Sequence, residues 1–169
     1  MRFPYEEELI VADQKQYKLL KQSVEEWNAW RKAHKDIRPD LSGAEFFQAD
    51  LFGADLCEAN LSKANLSMAD LCEANLSKAN LNGANLNKAD LHKANLSSAD
   101  FREANLSVTV LRDADLGGAD LSGANLNYAD LRGTDLSKTL GLSQEQVDKM
   151  HGSKNTALPP NFERPPSWG

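Results

Sequence analysis

The sequence predicts a solenoid, and three regularities carry the prediction. From Leu41 to Leu136 every fifth residue is apolar; eighteen of these twenty are Leu, and the others are Phe46 and Phe101. The residue two places earlier is Ala in seventeen cases, the exceptions being Pro39, Thr109 and Thr134. The residue one place earlier is Asp or Asn in eighteen, with only Glu45 and Val110 differing. A helix repeats every ~3.6 residues and a flat strand every ~2, so neither keeps a five-residue period on one face. The chain must therefore turn a corner once per unit and coil back upon itself, as repetitive architectures do.

The tandem motif Ala-(Asp/Asn)-Leu-x-x, as in Ala59-Asn60-Leu61-Ser62-Lys63, resembles the pentapeptide-repeat proteins over residues 39–138 without a gap. The resemblance implies an all-β solenoid, a right-handed quadrilateral parallel β-helix. One pentad forms each side, four form a coil, and the twenty pentads make five coils with Leu and Ala pointing inward. Elementary packing agrees, since so narrow a coil holds one large and one small side chain per side. Coils stacked at strand spacing, ~4.8 Å, give a rod of roughly 24 Å. Burying each Leu contributes about 1.5–3 kcal/mol. The Asp or Asn beside it is expected to serve the corner, because these side chains bond local backbone and tolerate turn dihedrals.

Three segments follow: an N-terminal helical cap (1–38), the β-helix (39–138), and a C-terminal cap helix with a Pro-rich tail (139–169). Both rod ends would expose unpaired edges and an open apolar core, so both need lids. For the first lid, Asp13 and Gln16 have capping-box spacing, and Tyr17, Leu20, Val24, Trp27 and Trp30 make one apolar stripe. This predicts a single amphipathic helix from 13 to about 35, with Phe47 and Phe52 as its docking partners. Two Trp on one face also suit a membrane-surface helix, but residues 1–38 net only +1, which favours a lid. For the second lid, Ser143 and Gln146 repeat the capping-box spacing; Leu142, Val147 and Met150 would face the last coil, and Gly152 would end the turn. The tail 157–169 contains four prolines, which forbid an α-helix, and is expected to run over the surface on Phe162 and Trp168. The flanks Trp27-Asn28-Ala29-Trp30-Arg31 through Leu41, and Leu158-Pro159-Pro160 to Trp168, resemble those of cyanobacterial members of the same family.

Composition narrows the function. No apolar run approaches the ~18 residues of a membrane helix, and Met1–Glu8 carries acids where a leader peptide would be basic and apolar. A cytoplasmic protein is expected. Cys57 and Cys72 fall on different sides and read as free thiols. His34, His92 and His151 lie in lid, rod and lid without metal-ligand spacing, so neither metal nor cofactor is expected. His92 stands one coil from Cys72, but a Cys–His nucleophile is the lesser reading of two outward slots. No catalytic residue is assigned, and an enzyme is not expected. The run Val108-Thr109-Val110 breaks the pattern once and suggests a bulge or widened corner.

Charge separates the sides. The rod nets −7 of the chain's −6, the caps contributing +1 and 0, so direct nucleic-acid binding is not expected. The side centred on Leu51, Leu71, Leu91, Leu111 and Leu131 nets −3, and the side from Phe46 to Leu126 nets zero. The neutral side carries Phe47, Met68, Val108 and Tyr128 outward, a candidate docking surface for another protein. The acidic side stacks Asp50, Asp70 and Asp90, with Asp130 two coils on. Elsewhere Glu73, Lys93 and Asp113 alternate up one column, and Glu58 precedes Lys78 in another, as self-neutralising ladders. The expected function is a non-enzymatic scaffold that binds an unidentified protein partner. The family resemblance implies one alternative, a DNA-mimicking binder of DNA gyrase acting through Asp50, Asp70, Asp90 and Asp130.

Overall fold

A computed structural model describes residues 13–169 of the chain; the reading of Met1–Glu8 lies outside them. The backbone coils with a strict register of twenty residues, from the parallel bridge Asp40↔Asn60 to Asp115↔Asp135, with one bridge on each of four sides per coil. On each side the Leu N–H donates to the Asx carbonyl one coil on, as Leu51 does to Asp70 (2.8 Å), and the Asp70 N–H returns to Ala49 (3.0 Å). Every central Leu or Phe of the array, and nearly every Ala before it, is buried. One axial core therefore runs the length of the rod.

The corners bear out the expected Asx bond to local backbone but place the left-handed dihedral elsewhere. Each is a turn closed by the Ala N–H on the preceding Leu carbonyl, as Ala54 closes on Leu51 at 3.0 Å. The left-handed dihedral falls on the last residue of the pentad: Gly43, Gly53, Gly83, Gly118, Gly123 and Gly133 have positive φ, and so do thirteen non-glycine residues in equivalent slots. The Asp or Asn instead accepts the N–H two residues on through Oδ1, as Asp70 does from Cys72 (3.0 Å). Asn adds a second bond, donating Nδ2 to the Asx one coil earlier, as Asn80 does to Asn60 (3.1 Å). The Asx slot thus clamps the turn and ties coils together, and the last slot bends the chain.

Val108-Thr109-Val110 forms no bulge. Val110 bridges Asp90 and Asp130 in unbroken register. Thr109 sits fully buried in the Ala slot and donates its hydroxyl to the Leu86 carbonyl (2.8 Å), so the extra polarity is absorbed inside the core. Thr134 does the same to Leu111 (2.7 Å).

The first lid is two helices rather than one, α1 (Gln14–Gln22) and α2 (Val24–Ala33). Ser23 divides them: it is extended, its N–H closes α1 on Leu19, and its hydroxyl caps α2 at Glu26, the competition for backbone that makes Ser a cap residue. Asp13 caps α1, but Gln16 does not complete the box; its Oε1 accepts the Asp40 N–H of the first coil (2.9 Å). Leu20 and Trp27 plug the core, and Trp27 Nε1 donates to the Asp55 carbonyl (2.8 Å). Trp30 is half-buried, its ring tilted against Trp27 and stacked on His34. The lid rests on Phe46, which meets the Tyr17 ring at 5.4 Å, so Phe47 and Phe52 remain about half exposed. Phe52 only borders a cleft under Val24, Asn28 and Ala29. Arg31, 6% exposed, fastens lid to rod by donating to the Ile37 and Cys57 carbonyls.

The second lid is an irregular sixth turn. Leu140, His151 and Ala157 bridge Asp120, Asp130 and Asp135 on three sides, and α3 (Gln144–Lys149) replaces the fourth. Its capping box between Ser143 and Gln146 is complete, and Gln146 Nε2 also bonds the Leu121 and Ala124 carbonyls. Val147, Met150, Thr156 and Trp168 close the core. Gly152 does not end α3, whose C-cap is Met150. It makes room for Trp168, because a Cβ there would collide with the indole. The tail forms only a short 3-10 turn, Pro166–Trp168.

Candidate functional site

With Leu, Ala and Asx consumed by the fold, each pentad leaves two outward slots, and the candidate surfaces are built from these. On the side centred on Phe46 to Leu126, the last slots are Gln48, Met68, Lys88, Val108 and Tyr128, one per coil, each with φ between 55° and 60°. Met68 is 46% exposed, Val108 45% and Tyr128 66%. Phe47 occupies the other outward slot and is 54% exposed. Among the described residues neither lid covers any of the four. Met68, Lys88, Val108 and Tyr128 form one axial strip along a corner of the rod; Phe47 stands apart at the first coil.

Val108 is the anomaly in the strip. A β-branched side chain crowds the backbone in the left-handed region and is a true outlier there, yet Val108 holds φ 60°. The strip ends at Tyr128, whose ring lies 6.2 Å from that of His151. Beside it a groove of about 380 Å³ opens among Asn127, Tyr128, Met150 and His151. Sequence reasoning missed this groove because most of its wall, Asp148 to His151 and Ser167, comes from the sixth turn and the tail, which the pentad count does not predict.

The acidic column divides in two. Asp50, Asp70 and Asp90 are in bridged register, and among the described residues none lies within ion-pair distance of a base. Asp130 is taken up by Arg112 (2.6 Å) and Arg132 (2.7 Å). Asp100 and Asp120 on the opposite side share Arg102, and the Arg102 guanidinium holds the Asp100 carboxyl below its ordinary range. Glu58 is likewise depressed, first by its hydrogen bond from Lys78, then by Arg38. The structure therefore joins Asp50, Asp70 and Asp90 but separates Asp130 from them.

Cys57 and Cys72 are both free. Burial pushes the Cys72 thiol up to about 12, and hydrogen bonding to the Asp70 and Asp90 carboxylates adds to the rise. That is the opposite of what an attacking thiolate needs. His92 Nδ1 turns instead to the Arg112 carbonyl (3.1 Å), with Asp113 beyond. Among the described residues no cluster of His, Cys, Asp or Glu is arranged to hold a metal ion, and no helix is long and apolar enough to cross a membrane.

Comparison with known proteins accounts for this architecture. The family model described as pentapeptide repeats matches residues 40–77, 73–107 and 104–140, in 8 copies. Among solved structures the chain is similar to a pentapeptide repeat protein, Rfr23, from the cyanobacterium Cyanothece 51142 (30% identity, 72% of this chain and 61% of that one, TM-score 0.39). It is also similar to HetL, a pentapeptide repeat protein involved in heterocyst differentiation regulation, from the cyanobacterium Nostoc sp. strain PCC 7120 (35% identity, 70% and 57%, TM-score 0.36). A third is a pentapeptide repeat protein of the Arabidopsis thaliana thylakoid lumen (29% identity, 64% and 68%, TM-score 0.45). The chain thus covers 61% and 57% of the two cyanobacterial proteins' own lengths. No curated protein matches it.

Proposed function

The chain belongs to the pentapeptide-repeat family of right-handed quadrilateral β-helices, and from that premise we propose that it is a non-enzymatic scaffold that docks another protein on its uncharged side. One observation carries the reading: Met68, Val108 and Tyr128 stay 45–66% exposed along a single corner that both lids leave open. Scattered apolar exposure is ordinary, but apolar groups recurring in one slot along a net-neutral side, broken only by Lys88, are what an interaction surface presents. The test is capture of partners from native extract with wild-type protein and with Met68→Glu plus Val108→Glu. Glutamate is already accommodated in this slot at Glu58, Glu73 and Glu103, so the fold should persist, with circular dichroism as the check. Loss of a captured partner supports the reading; an unchanged set of partners removes it.

The acidic alternative has one observation in its favour, the unpaired stack Asp50, Asp70, Asp90. Charge density weighs against it. B-DNA presents one phosphate charge per about 1.7 Å of axis. The rod's net −7 over roughly 24 Å gives about one per 3.4 Å, and Asp130 and Asp100 are already paired with arginine. A gyrase supercoiling assay decides it: neither inhibition nor protection at micromolar protein ends the DNA-mimic reading.

A further inference from the structure

We propose that the occupant of the Met68–Tyr128 strip is an amphipathic α-helix lying along the rod axis, with an apolar stripe on the strip and Lys or Arg on the flank facing Asp50, Asp70 and Asp90. The inference rests on the docking reading above and adds the secondary structure and charge of the partner.

The first argument is one of period. Met68, Lys88, Val108 and Tyr128 occupy the same slot in four successive coils, so the strip steps by ~4.8 Å and spans about 14 Å in three steps. A helix presents a side chain to one line once per turn, about 5.4 Å, and covers about 16 Å in three turns. The accumulated mismatch is ~2 Å, within the play of long side chains. A strand presents one side chain every second residue, about 6.6 Å, and would be out by roughly 6 Å over the same span. Only the helix stays in step with the strip over its full length.

The second argument is shape. Beside the strip the floor is made of the half-buried Ser67, Asn87 and Ser107, all short. The opposite corner alternates Gly43, Gly83 and Gly123 with Lys63 and Glu103 in its last slots. The short floor between the two corners, flanked on one by Met68, Val108 and Tyr128, is a seat for a helix about 10 Å across. Lys88 lies within the strip, where its alkyl stem continues the apolar line and its ammonium reaches water. The groove beside Tyr128 gives the last apolar side chain of the helix a place to enter.

The third argument is charge. Asp70 and Asp90 follow Met68 and Lys88 by two residues, so the acidic column runs directly beside the strip through its first coils. Asp50, Asp70 and Asp90 make no ion pair among the described residues, whereas Asp130, beside the far end, is satisfied by Arg112 and Arg132. The field therefore attracts a helix that is basic along one flank near Met68 and Lys88 and neutral near Tyr128.

The experiment uses the full chain and three synthetic, fluorescein-labelled peptides of about 18 residues. The first places Leu at i, i+4, i+7 and i+11 with Lys on one flank. The second replaces those Lys by Glu. The third has the composition of the first with Leu at every second position. Fluorescence anisotropy should show the first binding at least tenfold more tightly than either other peptide. Met68→Glu plus Val108→Glu should weaken it at least tenfold. Asn at positions 50, 70 and 90 keeps the Oδ1 clamp, so Asp→Asn at all three should weaken it by about tenfold at low salt, as several surface pairs together would, and should abolish most of its salt dependence. Equal or tighter binding of the alternating peptide overturns the helix, and equal binding of the Glu peptide overturns the charge assignment. If the first peptide fails to bind while Met68→Glu plus Val108→Glu still removes a captured partner, this inference falls and the docking reading stands. If the peptide fails and captured partners are unchanged, both fall.

Discussion

Val108→Asn should stabilise the protein while weakening its docking surface. In the left-handed region an L-residue costs roughly 1–2 kcal/mol, and Val adds crowding by both γ-methyls, whereas Asn visits the region readily. Against this relief stands lost packing. Val108 is 45% exposed, so about half of a burial worth ~1.5–2 kcal/mol is at stake, and an Asn side chain still covers part of that surface. The net is a gain of about 0.5–1 kcal/mol, which for a chain of this size raises Tm by roughly 1–4 °C. The reciprocal change is Lys88→Val, one coil earlier in the same slot at φ 60°; Lys88 already bears the general left-handed cost, so the loss is only the added crowding of a β-branched side chain. Urea unfolding followed by circular dichroism measures both. If Val108→Asn destabilises, or if Lys88→Val is neutral, then the last slot does not penalise β-branching and the account of the corner is wrong.

Two further outcomes test the core and the acidic column. Leu91 is fully buried in a middle coil, and Leu91→Ala should cost about 2–5 kcal/mol, since neighbouring coils at fixed spacing cannot collapse on the cavity; a loss below 1 kcal/mol in urea unfolding would contradict a rigid, dry core. Cys72, raised from its ordinary 9.0 to about 12, should alkylate more slowly than a free thiol at pH 8, and Asp70→Asn plus Asp90→Asn should speed it. Because the raised value favours the neutral thiol in the folded state, its stabilising effect is complete below pH 9.0 and fades as pH rises towards about 12; Cys72→Ser should flatten that part of the stability curve, and an unchanged curve would count against the environment assigned to Cys72.

The repeat was legible because its constraint is covalent in origin: a five-residue corner admits few solutions, and Leu, Ala and Asx each reveal their own. The parts that escaped depended on side chains choosing between local and distant partners. Gln16 has the spacing of a capping box but reaches Asp40 instead. Ser23 looks like one polar position in a helix, and it caps one helix while ending another. Phe47 and Phe52 are both outward aromatics near the first lid, yet the lid contacts Phe46 through Tyr17, and the pentad rule had assigned Phe46 to the core. Gly152 reads as a helix terminator until Trp168, sixteen residues later, is seen packed on it. The two outward surfaces were visible by folding the sequence at twenty residues per coil, but the division of Asp130 from Asp50, Asp70 and Asp90 required knowing where Arg112 and Arg132 turn.

The run Val108-Thr109-Val110, which spans the join of the pentads centred on Leu106 and Leu111, breaks three local rules, and the breaks have unequal compensation. Thr109 replaces Ala and gains a buried hydrogen bond to Leu86. Val110 replaces Asx and leaves the Arg112 amide without the clamp found in neighbouring pentads, though the bridges to Asp90 and Asp130 hold the register. Val108 accepts a left-handed dihedral and stays 45% exposed, so the rod itself offers it little in exchange. Local rules that fail without internal compensation point to function. The three substitutions also fall where two surfaces meet: Val110 interrupts the acidic column, and Val108 extends the apolar strip between Met68 and Tyr128. One short irregular run thus both ends the series of carboxylates without an ion pair and lengthens the apolar line, which is the asymmetry an axial helix, basic near one end and apolar along its length, would require.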